Sequence, residues 1–300
     1  MTKDVVMSRP LRAVLLPPAV AFLVVTLMLG NLGQMMSIVV RPLSKHAFRR
    51  INAWIAGTWW STCVATAAWL HGTRIVLTGD KLPYGEDAIV IVNHQDMPDI
   101  TFLMELAKRH GRLGDMKWIV KDVLKWVPGV GWGMVFLECV FVRREWMNDK
   151  QKIEQAFASL AAGRVPVWFL SFPEGTRFTL EKLTKAQVYA KAREITPPKH
   201  VLLPRDKGFI ATVRGLRGHV KALYDVTIGY PKGVPTMWQY VKGAAPGTIA
   251  RLHVTRYPIE ALPEDDEALS RWLTARFCEK DNLLDYFHRT GGFPSGGSTR

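Results

Sequence analysis

The sequence predicts an α/β fold: a mostly parallel central sheet flanked by helices, with an N-terminal membrane-embedded helical hairpin. Three observations carry this. Short runs rich in β-branched residues alternate with stretches of helical period, the pattern of strand–helix–strand units. Several of those runs stop abruptly in polar or basic clusters. Two long uncharged segments precede a chain that otherwise has the composition of a soluble domain. The boundaries that follow are 1–71 for a membrane-anchoring helical segment and 72–290 for one domain. The Gly- and Ser-rich tail 291–300 is expected to be disordered.

The N-terminus is basic, with Lys3, Arg9 and Arg12, and no charged residue lies between Arg12 and Arg41. About 20 apolar residues cross a bilayer, so the length suffices. Pro17 and Pro18 predict a break or kink near the start of this helix. A signal peptide is the competing reading; the basic start fits it, but no small-x-small cleavage site follows. Arg41, Lys45, Arg49 and Arg50 link the first run to a second, Ile51 to Leu70, also uncharged. Basic residues on both sides of the first run leave the positive-inside rule without a winner. A hairpin lying in one leaflet, its cations at the headgroups, fits better. For the second run, a core helix packed under the domain is an equal alternative.

From Gly72 the candidate strands are Thr73–Leu77, Ala88–Val92, Trp118–Val120, Cys139–Val142, Val165–Phe172, Val201–Leu203, Leu223–Ile228 and Thr248–Val254. The candidate helices are Asp99–His110, Lys121–Trp126, Asp149–Ala162, Leu183–Arg193, Lys207–Leu216 and Asp265–Phe287. Gly129-Val-Gly-Trp-Gly133 lacks the G-x-G-x-x-G spacing and follows no strand, so it is expected as a loop.

The buried run Ala88–Val92 ends at Asn93-His94. Asp96 and Pro98 have the form of an N-cap and a first-turn proline for the helix that starts at Asp99. A histidine in a strand-to-helix turn sits where open α/β sheets keep their active sites. From such a turn the chain can fold back so that the Asp99 carboxylate holds one imidazole nitrogen and leaves the other free as a base. The same spacing in His110 and Asp115, at a helix end, is expected to be chance. Three further runs end in charged clusters. Val165–Phe172 leads into Pro173-Glu174-Gly175-Thr176-Arg177, where glycine lets backbone approach a ligand and arginine offers a planar fork for a phosphate. Taken alone, the segment reads as an ordinary surface turn with an i, i+3 ion pair; at a ligand, Glu174 is expected to orient that arginine or to hold a substrate hydroxyl. Val140–Val142 leads into Arg143-Arg144, and Leu202-Leu203-Pro204 into Arg205-Asp206-Lys207. In a parallel sheet these ends converge on one edge and surround the histidine with cations.

The formal net charge of +14 calls for a polyanionic partner: nucleic acid, an anionic membrane or a phosphorylated substrate. Acidic residues are interleaved with the basic ones and no nucleic-acid motif is present, so no nucleic acid is expected to bind. Cys63, Cys139 and Cys278 are scattered without a C-x-x-C pair, which supports neither a zinc site nor a disulfide framework and points to a reducing compartment. There is no G-x-S-x-G elbow and no phosphate-binding loop ending in Gly-Lys-Ser/Thr. Several of the 11 tryptophans lie at the ends of apolar runs, as in a membrane interface.

Four segments in this order resemble the motif blocks of the glycerolipid acyltransferases, the 1-acylglycerol-3-phosphate acyltransferase family. They are Asn93-His94-Gln95-Asp96-Met97-Pro98-Asp99, Phe141-Val142-Arg143-Arg144, Phe172-Pro173-Glu174-Gly175-Thr176-Arg177 and Leu203-Pro204. The resemblance spans about Gly72 to Ile228. Trp132 to Trp146 is similar to the branch with lysocardiolipin-type members. The resemblance implies an α/β acyltransferase domain behind a membrane-embedded helical motif. It implies His94 as general base and Asp99 as its orienting carboxylate. Arg144, Glu174, Gly175, Thr176, Arg177 and Lys207 are implied to bind or shape the place of the acceptor phosphate. The implied reaction moves a fatty acyl chain from acyl-CoA or an acyl-carrier protein, a co-substrate rather than a cofactor, to the free hydroxyl of lysophosphatidic acid, giving phosphatidic acid; the alternatives are another lysophospholipid acceptor, such as lysocardiolipin or lysophosphatidylglycerol, or a non-catalytic membrane-surface protein. No metal is implied. The implied location is an anionic phospholipid membrane, on the cytoplasmic face of the inner membrane in a bacterium.

Overall fold

The computed structural model of the chain describes residues 7–142, 146–242 and 244–294. The expected strand end Arg143-Arg144 and residues 295–300 of the expected tail lie outside the described residues.

Among the described residues, strands β1 (Arg74–Gly79), β2 (Ala88–Val92), β3 (Met116–Lys121), β4 (Val140–Val142), β5 (Trp168–Ser171), β6 (Ala222–Gly229) and β7 (Ile249–Pro258) form one sheet. Its order is β1-β7-β6-β2-β5-β3-β4. Strands β2 to β6 run parallel; β7 is antiparallel to β6 and parallel to β1, so these two make a reversed flank. The helices are α1 (Arg9–Met36), α2 (Lys45–His71), α3 (Asp99–Arg109), α4 (Val130–Phe136), α5 (Trp146–Ala162), α6 (Leu180–Lys191), α7 (Asp206–Leu216), α8 (Met237–Val241) and α9 (Asp266–Thr290).

Period-two alternation sorts the side chains of the sheet into two cores. Along β2, Ala88, Val90 and Val92 pack with Trp60 of α2 and Phe102 of α3. Ile89 and Ile91 pack with Phe157 of α5, Phe209 of α7 and Leu273 of α9. A strand covered on both faces has no polar positions, which is why Ala88–Val92 reads as an unbroken apolar run. Each fully buried Ile or Val there contributes about 1.5–3 kcal/mol.

The N-terminal helices form the expected hairpin. Trp59 donates to the Leu23 carbonyl, and Gly30 and Gly33 of α1 lie against Ile55 of α2. Helix α2 buries a stripe at four-residue spacing, Phe48, Asn52, Ala56, Trp60 and Val64, so one face of the second run is a core helix. Helix α1 is inverted: its buried residues are Arg12, Asn31 and Gln34, while Val24, Val25, Leu29, Leu32 and Met36 face outward. The helix also runs through Pro17 and Pro18 rather than breaking there. Pro17 and Pro18, and Ala13 and Val14 whose carbonyls they leave without a helical partner, are exposed residues.

Two expectations are corrected. Gly129–Gly133 is not a loop but the start of α4, because Gly129 adopts φ +82 and a Cβ on Gly131 would overlap the Leu124 carbonyl. Val201–Leu203 is not a strand. Val201 and Leu202 are buried, but the Lys199, His200 and Val201 N–H groups go to Asp281 of α9 instead of a ladder.

Candidate active site

Strand β2 ends between β5 and β6, and each neighbour holds the turn that follows. The Asn93 side chain continues the pairing one step beyond the strand: its amide donates to the Ile228 carbonyl at 3.1 Å and accepts from the Ile228 N–H at 2.8 Å. His94 then enters the turn. Its Nδ1 lies 2.9 Å from Asp99 Oδ2, so the N–H sits on Nδ1. The ring stacks on Phe172 at the end of β5, centroids 4.1 Å apart, and its side chain is 11% exposed. Among the described residues, Nε2 has no protein partner.

Asp99, the first residue of α3, is fully buried. Its Oδ2 also accepts from the N–H groups of Gln95 at 2.7 Å and Asp96 at 3.1 Å, and its Oδ1 accepts from the Tyr230 hydroxyl at 2.5 Å. Burial pushes the Asp99 carboxyl up, and the hydrogen bonds from His94 and Tyr230 pull against that. The expected N-cap is corrected here. Asp96 accepts from Met97 N–H and pairs with Arg177, while Asp99 reaches back over the turn and takes its free donors. Asp115, in the second pair of that spacing, binds Arg112 instead.

Glu174 is not the surface group its sequence suggested. It is 2% exposed, and its two oxygens accept from the backbone N–H groups of His94 at 2.6 Å and Leu202 at 2.8 Å. It neither pairs with Arg177 nor faces a substrate; it joins the histidine turn to the 199–205 loop. Burial pushes its carboxyl up to about 8 against the pull of those two N–H groups. The fourth cluster therefore reaches the site through a loop held by two carboxylates.

Among the described residues, three cations border the turn. Arg177 is 52% exposed and pairs with Asp96 at 2.8 Å. Lys182 donates to Thr176 Oγ1 at 2.7 Å and to the Arg177 carbonyl. Arg205 lies over Gly175, where a Cβ would stand 3.2 Å from its Cδ; the glycine's φ of +68 completes the case for no side chain. The Phe178 N–H ties this segment to the His94 carbonyl. Lys207 is exposed on the first turn of α7 and forms no ion pair with these groups among the described residues. Arg144 lies outside the described residues, so it is not placed.

Next to the dyad an apolar cavity of about 280 Å³ runs under the hairpin. Met97 and Ile100, flanking Asp99 in the chain, line it with Trp59, Trp118, Gly133 and Met134. This cavity, Lys182 and Tyr230 are not among the features expected from the sequence. The signal for Tyr230 was there: it follows the β6 run on the same edge as His94.

Residues 74–230 match the family described as Acyltransferase, and residues 240–300 match Acyltransferase C-terminus. The chain is 35% identical over 290 residues to 1-acyl-sn-glycerol-3-phosphate acyltransferase 2 of Arabidopsis thaliana, covering 94% of this chain and 74% of that one. It is 36% identical over 269 residues to the human 1-acyl-sn-glycerol-3-phosphate acyltransferase delta, covering 88% and 71%. In fold it is similar to the crystal structure of the 1-acyl-sn-glycerophosphate (LPA) acyltransferase from Thermotoga maritima. That likeness has a TM-score of 0.57 and 18% identity, over 93% of this chain and 98% of the other.

Proposed function

The chain belongs to the glycerolipid acyltransferase family, as an enzyme of the 1-acylglycerol-3-phosphate O-acyltransferase type, and on that premise we propose its reaction and setting. It moves a fatty acyl chain from a thioester, acyl-CoA or acyl-carrier protein, to the free hydroxyl of lysophosphatidic acid, giving phosphatidic acid. The observation that carries this reading is an imidazole, its side chain 11% exposed, whose Nε2 has no partner among the described residues and whose other nitrogen is held by a buried carboxylate.

Nε2 takes the hydroxyl proton as the alcohol oxygen attacks the thioester carbonyl. Asp99 keeps the proton on Nδ1 and stabilises the imidazolium that forms. The thiol leaves with that proton, and no acyl-enzyme is needed; the Cys139 thiol is buried and pushed up in pKa, which suits no nucleophile. Arg177, Lys182 and Arg205 give the acceptor phosphate charged donors near the base. The apolar cavity beside Met97 and Ile100 takes the acyl chain.

Both substrates are lipids, and the inverted α1 supports a membrane setting. A helix that buries Arg12, Asn31 and Gln34 while turning Val, Leu and Met outward suits lipid rather than water. The hairpin lies in one leaflet, with its cations at anionic headgroups.

The test is thioester release by detergent-purified protein with one acyl-CoA, with and without lysophosphatidic acid, against a panel of lysophosphatidylglycerol and lysocardiolipin. Release that depends on lysophosphatidic acid supports the reading. Release without any acceptor identifies a hydrolase, and preference for another headgroup moves the acceptor assignment. Arg177→Ala should raise KM for the acceptor about tenfold or more, as expected for a charge-assisted bond, and leave KM for the thioester unchanged. Equal changes in both would remove the phosphate role.

Gly133 faces the cavity, and a Cβ there meets only ordinary contacts beyond 3.6 Å. Gly133→Leu should shift donor preference toward shorter chains, read from a series of acyl-CoA lengths. An unshifted series would mean the chain lies elsewhere.

A further inference from the structure

We propose that Tyr230 is a positioning residue of the catalytic pair, the hydroxyl that keeps Asp99 in the form His94 needs; the inference rests on the dyad reading above. Tyr230 is 4% exposed, and its hydroxyl donates to Asp99 Oδ1 at 2.5 Å. The other three donors on Asp99, His94 Nδ1 and the two backbone N–H groups of the turn, all converge on Oδ2. Tyr230 is therefore the donor that satisfies Oδ1. Without it this oxygen would be a buried acceptor with no partner among the described residues, since Asp99 is 0% exposed.

The consequence is electrostatic. A carboxylate with one oxygen unsatisfied in an apolar site lowers its energy by taking a proton on that oxygen. The remaining carbonyl oxygen would still accept from Nδ1 and the backbone, so the ring would keep its place. The negative charge opposite the forming imidazolium would be gone. Tyr230 closes that route by donating to the one oxygen on which the proton would settle. Burial and the adjacent Asp99 charge hold the phenol well above its ordinary pKa, so it stays a donor. The titratable groups that face this pair are His94 and Asp96 from the turn, Glu174 from the end of β5 and Tyr240 from α8.

The placement of Tyr230 is set two residues earlier. Asn93 clamps Ile228 with both amide groups, which holds the end of β6 against the end of β2 at the level where the tyrosine meets Asp99. Among the described residues the Tyr230 hydroxyl reaches the pair through Asp99 Oδ1.

The experiment is a pH–rate profile of Tyr230→Phe, with acyl-CoA and lysophosphatidic acid, beside wild type, His94→Ala, Asp99→Asn and the double variant Tyr230→Phe/Asp99→Asn. The change removes one oxygen and keeps the ring, and near-ultraviolet circular dichroism checks the packing. The acid limb of kcat should move up by about one pH unit, the size of one hydrogen bond to a charged group. On the acid limb kcat at a given pH should fall about tenfold and recover as pH rises, with KM for both substrates unchanged. In the Asp99→Asn background the same change should have little further effect on kcat, because no charge remains to hold. A profile that superimposes on wild type, or losses that multiply with Asp99→Asn, would overturn the inference while leaving the dyad standing. A uniform fall at every pH would mark a merely structural role. Normal turnover by His94→Ala would remove the dyad itself, and this inference with it.

Discussion

His94→Ala is expected to slow acyl transfer by about 10²–10⁴-fold, with KM for the acceptor and the thioester close to wild type. The lost group is the one with a free nitrogen. Nδ1 is committed to Asp99, and Nε2 has no partner among the described residues, so only Nε2 is available to a lipid hydroxyl. Without it a neutral alcohol must attack while still carrying its proton. The turn should survive the change. The His94 N–H remains bonded to Glu174, its carbonyl still accepts from Phe178, and Asp99 keeps two backbone donors and Tyr230. The measurement is thiol release from acyl-CoA by purified variant and wild type, with a melting curve to show that both are folded. Near-normal turnover would mean that another group takes the proton.

Asp99→Asn is expected to cost a similar factor, about 10²–10⁴ in kcat, for a different reason. The amide oxygen must occupy the place of Oδ2, because three donors converge there and an NH₂ group would face them all. The NH₂ then points at Tyr230, whose hydroxyl turns from donor to acceptor. Geometry is kept and charge is lost, so the imidazolium of the transition state has no counter-ion. Asp99→Ala would do both kinds of damage. It orphans the buried Tyr230 hydroxyl and the two N–H groups of the turn, at about 1–3 kcal/mol for each. The contrast is the test: Asn should be inactive with a melting temperature near wild type, Ala inactive and less stable. An active Asn variant would show that Asp99 only positions the ring.

Much of this site was legible. Ala88–Val92 was found at its observed boundaries because a strand buried on both faces has no polar residue to blur its ends. His94 and Asp99 were found because a histidine directly after such a strand has few structural reasons to be there. Val201–Leu203 was misread as a strand because an apolar run bounded by proline looks the same whether a ladder or a carboxylate takes its N–H groups. Glu174 was misread because Pro-Glu-Gly-Thr-Arg is a surface turn by composition. Nothing local shows that β5 lies beside β2, or that the glutamate points inward beneath it.

The sequence by itself determined the alternation of strands and helices, the apolar hairpin and the pairing of His94 with Asp99. Each depends on residues close along the chain, whose periodicity and turn chemistry act locally. The tertiary structure decided which donor meets which oxygen: Glu174 on a backbone 80 residues away, Tyr230 on a carboxylate 131 residues away. Those partners are chosen by strand order and register, and these follow from how two apolar faces close over one sheet. No neighbouring residue in the chain carries that information.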